Sequence, residues 1–243
     1  MAGVTDMRTW KRERLYYRLV LCLSLDTSTP GGSCAVTRDG ILVCELSGDP
    51  NRPHDARLPG DLMALVEAAR IDLREIDLYA VATGPGSFTG LRIGIATMQG
   101  LAFAVGKPLI GVSGFDALAR LGRAPAVATW VDAWRGEVFA ARYEHDVEVY
   151  PPTVAKPSAL LTQVVTPTLF IGDAIAAYAG LIRSTLGDLA LISDPPAPLL
   201  AGTIAQIASE RARTGVQPEP DAIRPLYIRR PDAELARDAR PVR

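Results

Sequence analysis

A short pattern occurs twice in this chain and limits its fold more than any other feature. In residues 23–36, LSLDTSTPGGSCAV, an apolar strand pattern ends at Asp26 and is followed by a turn and a second strand pattern. Residues 129–142, TWVDAWRGEVFAAR, have the same order, with Asp132 ending the first strand. The residue match is slight, so the repeat depends on the order of elements. It predicts a duplicated α/β fold with two lobes of the ββαβ type.

Hydrophobic periodicity predicts the elements of the first half. Asp39-Gly40 favours a tight hairpin turn between two strand patterns, so three antiparallel strands are expected to open the fold. A helix around residues 54–71, a strand, and a second helix around residues 88–106 follow. Pro59-Gly60 is expected to start the first helix or to kink its first turn. The boundary between the lobes is expected between residues 112 and 125.

Four segments follow from this order of elements. They are a flexible N-terminal extension (residues 1–17), a first lobe (18–114), a second lobe (115–230) and a charged tail (231–243). The apolar run LVLCLSL near the start is too short for a secretory signal and has no small-residue cleavage site. No uninterrupted apolar run approaches the roughly 18 residues of a membrane helix. We therefore predict a cytoplasmic protein that binds no membrane.

Charge and cysteine content exclude several classes of protein. The chain has 26 Lys and Arg residues against 27 Asp and Glu residues, a net charge of -1. No global positive field therefore attracts it to nucleic acid, and any RNA contact has to be local or shared with a partner. The three cysteines, Cys22, Cys34 and Cys44, are odd in number and lack CxxC spacing. They are expected to be reduced, buried thiols.

The glycine-rich segment TGPGSFTGLRIG, residues 83–94, raises the question of a phosphate site. It is not a P-loop, and the dinucleotide motif G-x-G-x-x-G finds Thr89 where the third glycine belongs. What remains is a strand, a tight turn and a helix whose first turn has free backbone amides. The candidate phosphate-binding residues are Asp26, Thr27, Ser28, Gly84, Gly86 and Ser87. The alternative is that these residues only cap and bend local turns.

The helix expected at residues 88–106 is apolar in most directions. Arg92 and Gln99 share one narrow polar strip, whereas large apolar residues point to most of the remaining circumference. A helix that packs only on its own sheet needs a single apolar stripe. This helix is therefore either enclosed within its own chain or part of a subunit interface.

Several motifs together resemble one protein family. LSLDTST, GPGSFTGLRIG, GLAFAVGKPLIGVS, DAWRGEVF and PLYIR closely resemble the TsaB (YeaZ) family, the partner of the TsaD enzyme in making threonylcarbamoyladenosine in tRNA. The resemblance covers roughly residues 19–230, and GPGSFTGLRIG is its most specific element. It implies the duplicated actin- and sugar-kinase-like fold (ASKHA, ribonuclease H-like), with a mixed sheet and flanking helices in each lobe.

The resemblance implies a non-catalytic scaffold subunit. TsaD transfers a threonylcarbamoyl group from its adenylate to N6 of adenosine 37 in tRNAs that read codons beginning with A. This chain would hold TsaD in a competent arrangement and help to recruit the ATPase TsaE. TsaD enzymes bind a metal with an H-x-x-x-H pair, but Gly114 and Leu118 stand at those positions here and cannot ligate. No metal site and no required cofactor are expected, and His54 and His145 are predicted to be surface residues.

The resemblance also implies where partners bind. The helices around residues 54–71 and 88–106 would pair with their TsaD equivalents in a four-helix bundle, or form a homodimer when the chain is alone. Contact with tRNA would be indirect or through the complex. The predicted interface or immediate support residues are Leu58, Leu62, Leu65, Ile93, Met98, Leu101 and Phe103.

Two other functions stay open at this point. A stand-alone ASKHA-type enzyme with weak ATPase or kinase activity would use Asp26 and Asp132, with weak binding of ATP, ADP or Mg²⁺. A stand-alone regulatory homodimer would use the same apolar helices. Peptidase activity is disfavoured because the chain has no HExxH motif and Ser87 is not in a G-x-S-x-G context.

Overall fold

The computed structural model describes residues 20–215 and 220–229. The predicted extension and charged tail, residues 1–17 and 231–243, lie outside the described residues. The described chain forms two compact units. Among the described residues, the first unit contains 20–117, 199–215 and 220–225, and the second contains 118–198 and 226–229.

The first unit is built on a five-stranded mixed sheet. Its strands are β1 (Leu21–Asp26), β2 (Ser33–Arg38), β3 (Ile41–Ser47), β4 (Leu78–Ala82) and β5 (Leu109–Val112), in the order β3-β2-β1-β4-β5. Strands β1, β2 and β3 pair antiparallel, which confirms the three opening strands. Strands β4 and β5 add in parallel on the other side of β1.

The second unit has a sheet with the same plan. Its strands are β6 (Ala126–Asp132), β7 (Val138–Glu144), β8 (Val147–Ala155), β9 (Thr168–Ile171) and β10 (Ala190–Ile192), in the order β10-β9-β6-β7-β8. Strands β6, β7 and β8 pair antiparallel, and β9 and β10 are parallel to β6 and to each other. Both units therefore share one topology, and the duplicated α/β fold predicted from the repeat is confirmed.

Helices flank both sheets. In the described part of the chain they are α1 (His54–Ala69), α2 (Phe88–Val105), α3 (Gly114–Gly122), α4 (Pro157–Leu161), α5 (Ile175–Leu186) and α6 (Ala201–Arg213). Helix α1 packs on β2 and β3, α2 packs on β4 and β1, and the two helices contact each other. Their buried side chains form one core with those of the sheet, including Leu23, Val36 and Val81.

Helix α6 covers the opposite face of the first sheet. It packs against β1, β2 and β4, and Ser24 Oγ on β1 donates a 2.6 Å hydrogen bond to the Ala201 carbonyl. Residues 199–215 and 220–225 therefore belong to the first unit, whereas the sequence-based division placed them in a lobe of residues 115–230. The reason is that β1 and β4 are buried on both faces, so the sheet needs a second helical layer.

One described helix is long and apolar enough to cross a membrane by length and composition alone. It is α2, whose 18 residues have a mean hydropathy of 1.3, and a third of them are buried. The sequence has no uninterrupted apolar run here because Arg92, Thr97 and Gln99 interrupt it. Core helices that pack on a sheet, as α2 does on β4, meet the same criterion.

Candidate partner-binding face and the adjoining glycine turn

Local signals set the bounds of α1 and α2. Helix α1 starts directly after Pro53, and Pro59 lies inside it, so Pro59 does not start the helix. Helix α2 starts after Ser87, whose Oγ accepts a 3.2 Å hydrogen bond from the amide of Gly90. It ends at Gly106, which adopts the left-handed conformation (φ 64°) typical of a helix C-cap.

The inward side of the two helices contains most of the predicted interface residues. Leu58, Leu62, Leu65 and Met98 are buried in the core of the first unit. In this conformation they support the helices from within, because side chains packed on the sheet cannot also contact a partner. Ile93 and Leu101 are half-buried and pack against the same core. Phe103 is the one member of the predicted set that is largely exposed, at 78%.

The outward side of the helices is mostly apolar and made largely of small residues, with Glu67 and Arg92 as exposed charges. We call the following exposed residues the outer helix face: Ala56, Gly60, Met63 and Ala64 on α1, and Ala96, Gly100, Phe103 and Ala104 on α2. Their spacing of three or four residues places each set on one side of its helix. Met63, which is not among the predicted interface residues, is 60% exposed. A Cβ added at Gly60 or Gly100 would meet nothing within 4 Å, so both positions lie open.

The glycine turn before α2 lies directly against the turn between β1 and β2. The Ser87 amide donates a 2.7 Å hydrogen bond to the Ser28 carbonyl. Gly86 has a φ of 153°, and a Cβ there would overlap Ser28. A Cβ at Gly90 would likewise overlap the carbonyl of Thr27. The two segments predicted to surround a phosphate are therefore bonded to each other, which leaves the Ser87 and Gly90 amides already engaged.

Asp26 and its neighbours stabilise a local turn. Oδ1 of Asp26 accepts a 2.9 Å hydrogen bond from the Ser28 amide, and the carboxyl group is buried. Burial raises its pKa, while the hydrogen bonds from Ser28 act in the opposite direction. Oγ1 of Thr27 is also buried and has no hydrogen-bond partner among the described residues. Gly84 completes the turn, since its carbonyl accepts a 2.8 Å hydrogen bond from the Gly114 amide.

The equivalent position in the second unit repeats this arrangement. Oδ1 of Asp132 accepts a 2.9 Å hydrogen bond from the Trp134 amide, two residues later, as Asp26 does from Ser28. Both aspartates therefore act as local turn acceptors. The geometry supports the alternative in which Asp26 and Ser28 only cap and bend a local turn.

His54 and Arg57 form a buried polar pair that sequence reasoning missed. His54 was expected at the surface, but it is buried because the start of α1 packs against the turn between β1 and β2. Its Nε2 lies 3.0 Å from the Thr29 carbonyl, and its Nδ1 lies 2.9 Å from Nη2 of Arg57. A carbonyl only accepts and a guanidinium only donates, so the ring is neutral with its proton on Nε2.

Arg57 completes the contact between α1 and the β1–β2 turn. Its guanidinium donates to the carbonyls of Pro30 and Gly31 and pairs with Asp61 one helical turn later. Burial and the nearby Arg57 charge lower the pKa of His54. The Arg57 and Asp61 spacing of four residues was the only sequence signal for this contact.

The remaining histidine and cysteine predictions have mixed outcomes. His145 is exposed in the turn between β7 and β8, as predicted. Cys22 and Cys34 are buried free thiols, and burial raises the pKa of each to about 12, whereas Cys44 is only half-buried. In residues 20–215 and 220–229, no group of three or more His, Cys, Asp or Glu residues could hold a metal ion.

The chain is similar to one described protein family and to individual bacterial proteins. Residues 49–237 match the family described as TsaD: tRNA N6-adenosine threonylcarbamoyltransferase. An uncharacterized protein of Mycobacterium tuberculosis is 31% identical over 216 residues, which cover 87% of this chain and 93% of that protein. The tRNA threonylcarbamoyladenosine biosynthesis protein TsaB of Haemophilus influenzae is 29% identical over 228 residues, which cover 85% of this chain and 92% of that protein.

Solved structures give the same assignment. YeaZ from Pseudomonas aeruginosa has a TM-score of 0.68 at 27% sequence identity, over 86% of this chain and all of that chain. Component A of (R)-2-hydroxyglutaryl-CoA dehydratase from Acidaminococcus fermentans, at 10% identity and a TM-score of 0.54, shares the fold alone. The fold is the actin- and sugar-kinase-like α/β fold, with a mixed sheet and flanking helices in each unit. The chain belongs to the family described as TsaD: tRNA N6-adenosine threonylcarbamoyltransferase and, within it, to the TsaB (YeaZ) proteins.

Proposed function

We propose that this chain is a non-catalytic scaffold subunit in the biosynthesis of threonylcarbamoyladenosine in tRNA. The names of its relatives support a role in this modification. In the proposed arrangement a TsaD enzyme carries out threonylcarbamoyl transfer to N6 of adenosine 37, and this chain binds TsaD and helps to recruit TsaE. No cofactor of its own is required, and tRNA contacts the chain indirectly or through the complex in the cytoplasm.

The outer helix face is the observation that carries this proposal. It presents Met63 and Phe103 as two large apolar side chains, 60% and 78% exposed, among alanines and open glycines. Exposed apolar surface of this kind is typical of a protein interface. Small residues allow the backbones of two helices to approach closely, which suits pairing with two helices of a partner. The same face supports a homodimer when no partner is present.

The interior of the first unit supports a role without catalysis. The Ser87 and Gly90 amides, which an anion would need, already donate to Ser28 and Ser87. The Asp26 carboxyl group is buried and its Oδ1 accepts from its own turn, which supports a structural role for this residue. Gly114 and Leu118, at the positions of the TsaD metal ligands, have no ligating atoms in their side chains.

The test is formation of threonylcarbamoyladenosine on tRNA in a reconstituted mixture. Purified TsaD, TsaE, the enzyme that makes threonylcarbamoyl adenylate, its substrates and tRNA are combined with this chain, without it, or with the Phe103→Glu variant. We expect product only with the wild-type chain present. Ile41→Glu is the matched control, because Ile41 is also highly exposed (73%) but lies on β3, outside the outer helix face. This control is expected to retain full product formation.

Other results would reject the proposal. Product formed by this chain without TsaD would identify it as an enzyme, and full product in its absence would remove the scaffold role. Magnesium-dependent ATP binding or turnover by the isolated chain would favour the nucleotide-binding alternative. A homodimer that TsaD cannot dissociate would favour the regulatory alternative.

A further inference from the structure

Residues 220–225, which we call the flank segment, lie against the side of α2. The segment begins with a short 3₁₀ turn, Pro220–Ala222, and this turn contacts α2 and β5. Helix α1 packs on β2 and β3, at the other end of the same sheet. The strand order is β3-β2-β1-β4-β5, and α1, α2 and Ile223 share one core. Helix α2 therefore lies between α1 and the flank segment.

Two contacts hold the flank segment in place. Nε2 of Gln99 on α2 donates a 2.7 Å hydrogen bond to the Pro220 carbonyl. The side chain of Ile223 packs against the core of the first unit. It lies over β5, where a Cβ added at Gly111 would be 3.3 Å from Cγ2 of Ile223. The position of the segment is therefore set by α2 and β5 together.

The exposed side of the flank segment continues the outer helix face. Gln99 lies four residues before Phe103, so the two side chains are neighbours along one side of α2. Phe103 is 78% exposed, and Asp221 and Ala222 of the flank segment are exposed as well. A partner helix that covers Phe103 would therefore also lie against the flank segment.

We propose that the flank segment is part of the partner-binding face and that Gln99 is a positioning residue that holds it there. This inference rests on the proposed scaffold function, and the occupant is one of the two partner helices that pair with α1 and α2. Helix α1 borders the space above α2 on one side, and the flank segment borders it on the other. A border that is already ordered reduces the conformational entropy lost on binding.

The experiment is hydrogen exchange of the full chain, alone and in complex with TsaD, followed by mass spectrometry. The amides of residues 221–224 report on the flank segment, and the amides of α1 and α2 report on pairing itself. We expect exchange at residues 221–224 to slow at least about threefold on pairing, because the partner covers them. The Phe103→Glu variant, in which pairing is weakened, should show a smaller change.

Four variants test the segment and Gln99 through their affinity for TsaD. Gln99→Met removes the donor at a similar side-chain length, so affinity should fall about fivefold. Gln99→Lys retains an N–H donor for the Pro220 carbonyl and should stay within about twofold of the wild type. Ala222→Arg adds a large side chain on the exposed side of the segment and should weaken pairing about tenfold. Ala176→Arg makes the same change at an exposed position of α5 and should leave pairing unchanged.

The outcomes separate this inference from the proposed function. Slower exchange in α1 and α2 without a change at residues 221–224 would overturn the inference and leave the proposed function intact. Unchanged exchange in all of these amides would overturn both. Wild-type affinity of Ala222→Arg would show that the partner does not reach the flank segment. Equal losses of affinity in Gln99→Met and Gln99→Lys would reject the positioning role of Gln99.

Discussion

The inward and outward sides of α1 and α2 differ in residue size more than in polarity. The inward side has large aliphatic residues such as Leu58, Leu65 and Met98, which interlock with the sheet. The outward side carries the exposed charges Glu67 and Arg92 but otherwise consists mainly of alanine and glycine, with Met63 and Phe103 as the large apolar residues. The large residues fill the core of the first unit, whereas the small residues leave room for the helices of another chain to pack closely.

The largest expected effect is a difference between the two sides in how much they contribute to the free energy of unfolding. Leu65 is fully buried, so Leu65→Ala removes packed methyl groups and leaves a cavity. We expect the free energy of unfolding to fall by about 3 kcal/mol in urea denaturation followed by circular dichroism. Met63→Ala, two residues away and 60% exposed, is expected to change it by less than about 0.5 kcal/mol. Similar losses in both variants would show that Met63 is not on a free face.

The second prediction concerns association. Phe103→Glu places a charge on the outer helix face, where burial against a partner would leave that charge unpaired. We expect the free energy of pairing, with TsaD or with a second copy, to weaken by at least about 2 kcal/mol in sedimentation or calorimetric titrations. Ile41→Glu should leave pairing unchanged. If Phe103→Glu unfolds the chain, Phe103 contributes to the core and the division between the two sides is misplaced.

The third prediction concerns a substitution that should stabilise the fold and weaken pairing. Gly100 is an exposed helical glycine with open space around it, so Gly100→Ala should stabilise the fold by about 1 kcal/mol. The added methyl group should nevertheless weaken pairing if two helices approach closely at that point. Gly180→Ala is the matched control, because Gly180 lies open on α5 in the second unit. It should stabilise the chain similarly, without an effect on pairing in the same titrations.

The sequence predicted the fold better than it predicted which side chains face outward. The order of strands followed from local patterns, such as the aspartate at the end of β1 and the Asp39-Gly40 turn. The position of α6 did not follow from local patterns, because its partners on β1 and β2 lie more than 160 residues earlier in the chain. The direction of Leu58 or Phe103 could not be read from a helix that is apolar on most sides.

Buried polar contacts were the least predictable part of the site. The acceptor for His54 is a backbone carbonyl 25 residues away, at Thr29, and a carbonyl has no sequence signature. The glycine segment predicted a close approach between two backbone segments, but it did not identify the second segment. Gly86 and Gly90 accommodate the neighbouring turn at Thr27 and Ser28, in the space where a phosphate was one of the two alternatives.

The smallest expected effect concerns the buried pair at the start of α1. Burial and Arg57 lower the pKa of His54 below its usual value of about 6.5, while the hydrogen bond to Thr29 and the charges of Asp26 and Asp61 act in the opposite direction. The unfolded chain therefore takes up a proton at a higher pH than the folded chain. The stability that neutral His54 provides is complete above about pH 6.5 and is lost as pH falls toward the folded-state pKa.

His54→Gln should remove this part of the pH dependence. Between pH 7.5 and pH 5.5 we expect the variant to lose less free energy of unfolding than the wild type, by under about 1 kcal/mol, in urea denaturation at each pH. His145→Gln is the control, because His145 is exposed. An equal change in both variants would show that the pH dependence comes from elsewhere. A pH dependence in His54→Gln identical to that of the wild type would mean that the ring is not held neutral, and that the contact between α1 and the β1–β2 turn is weaker than its geometry indicates.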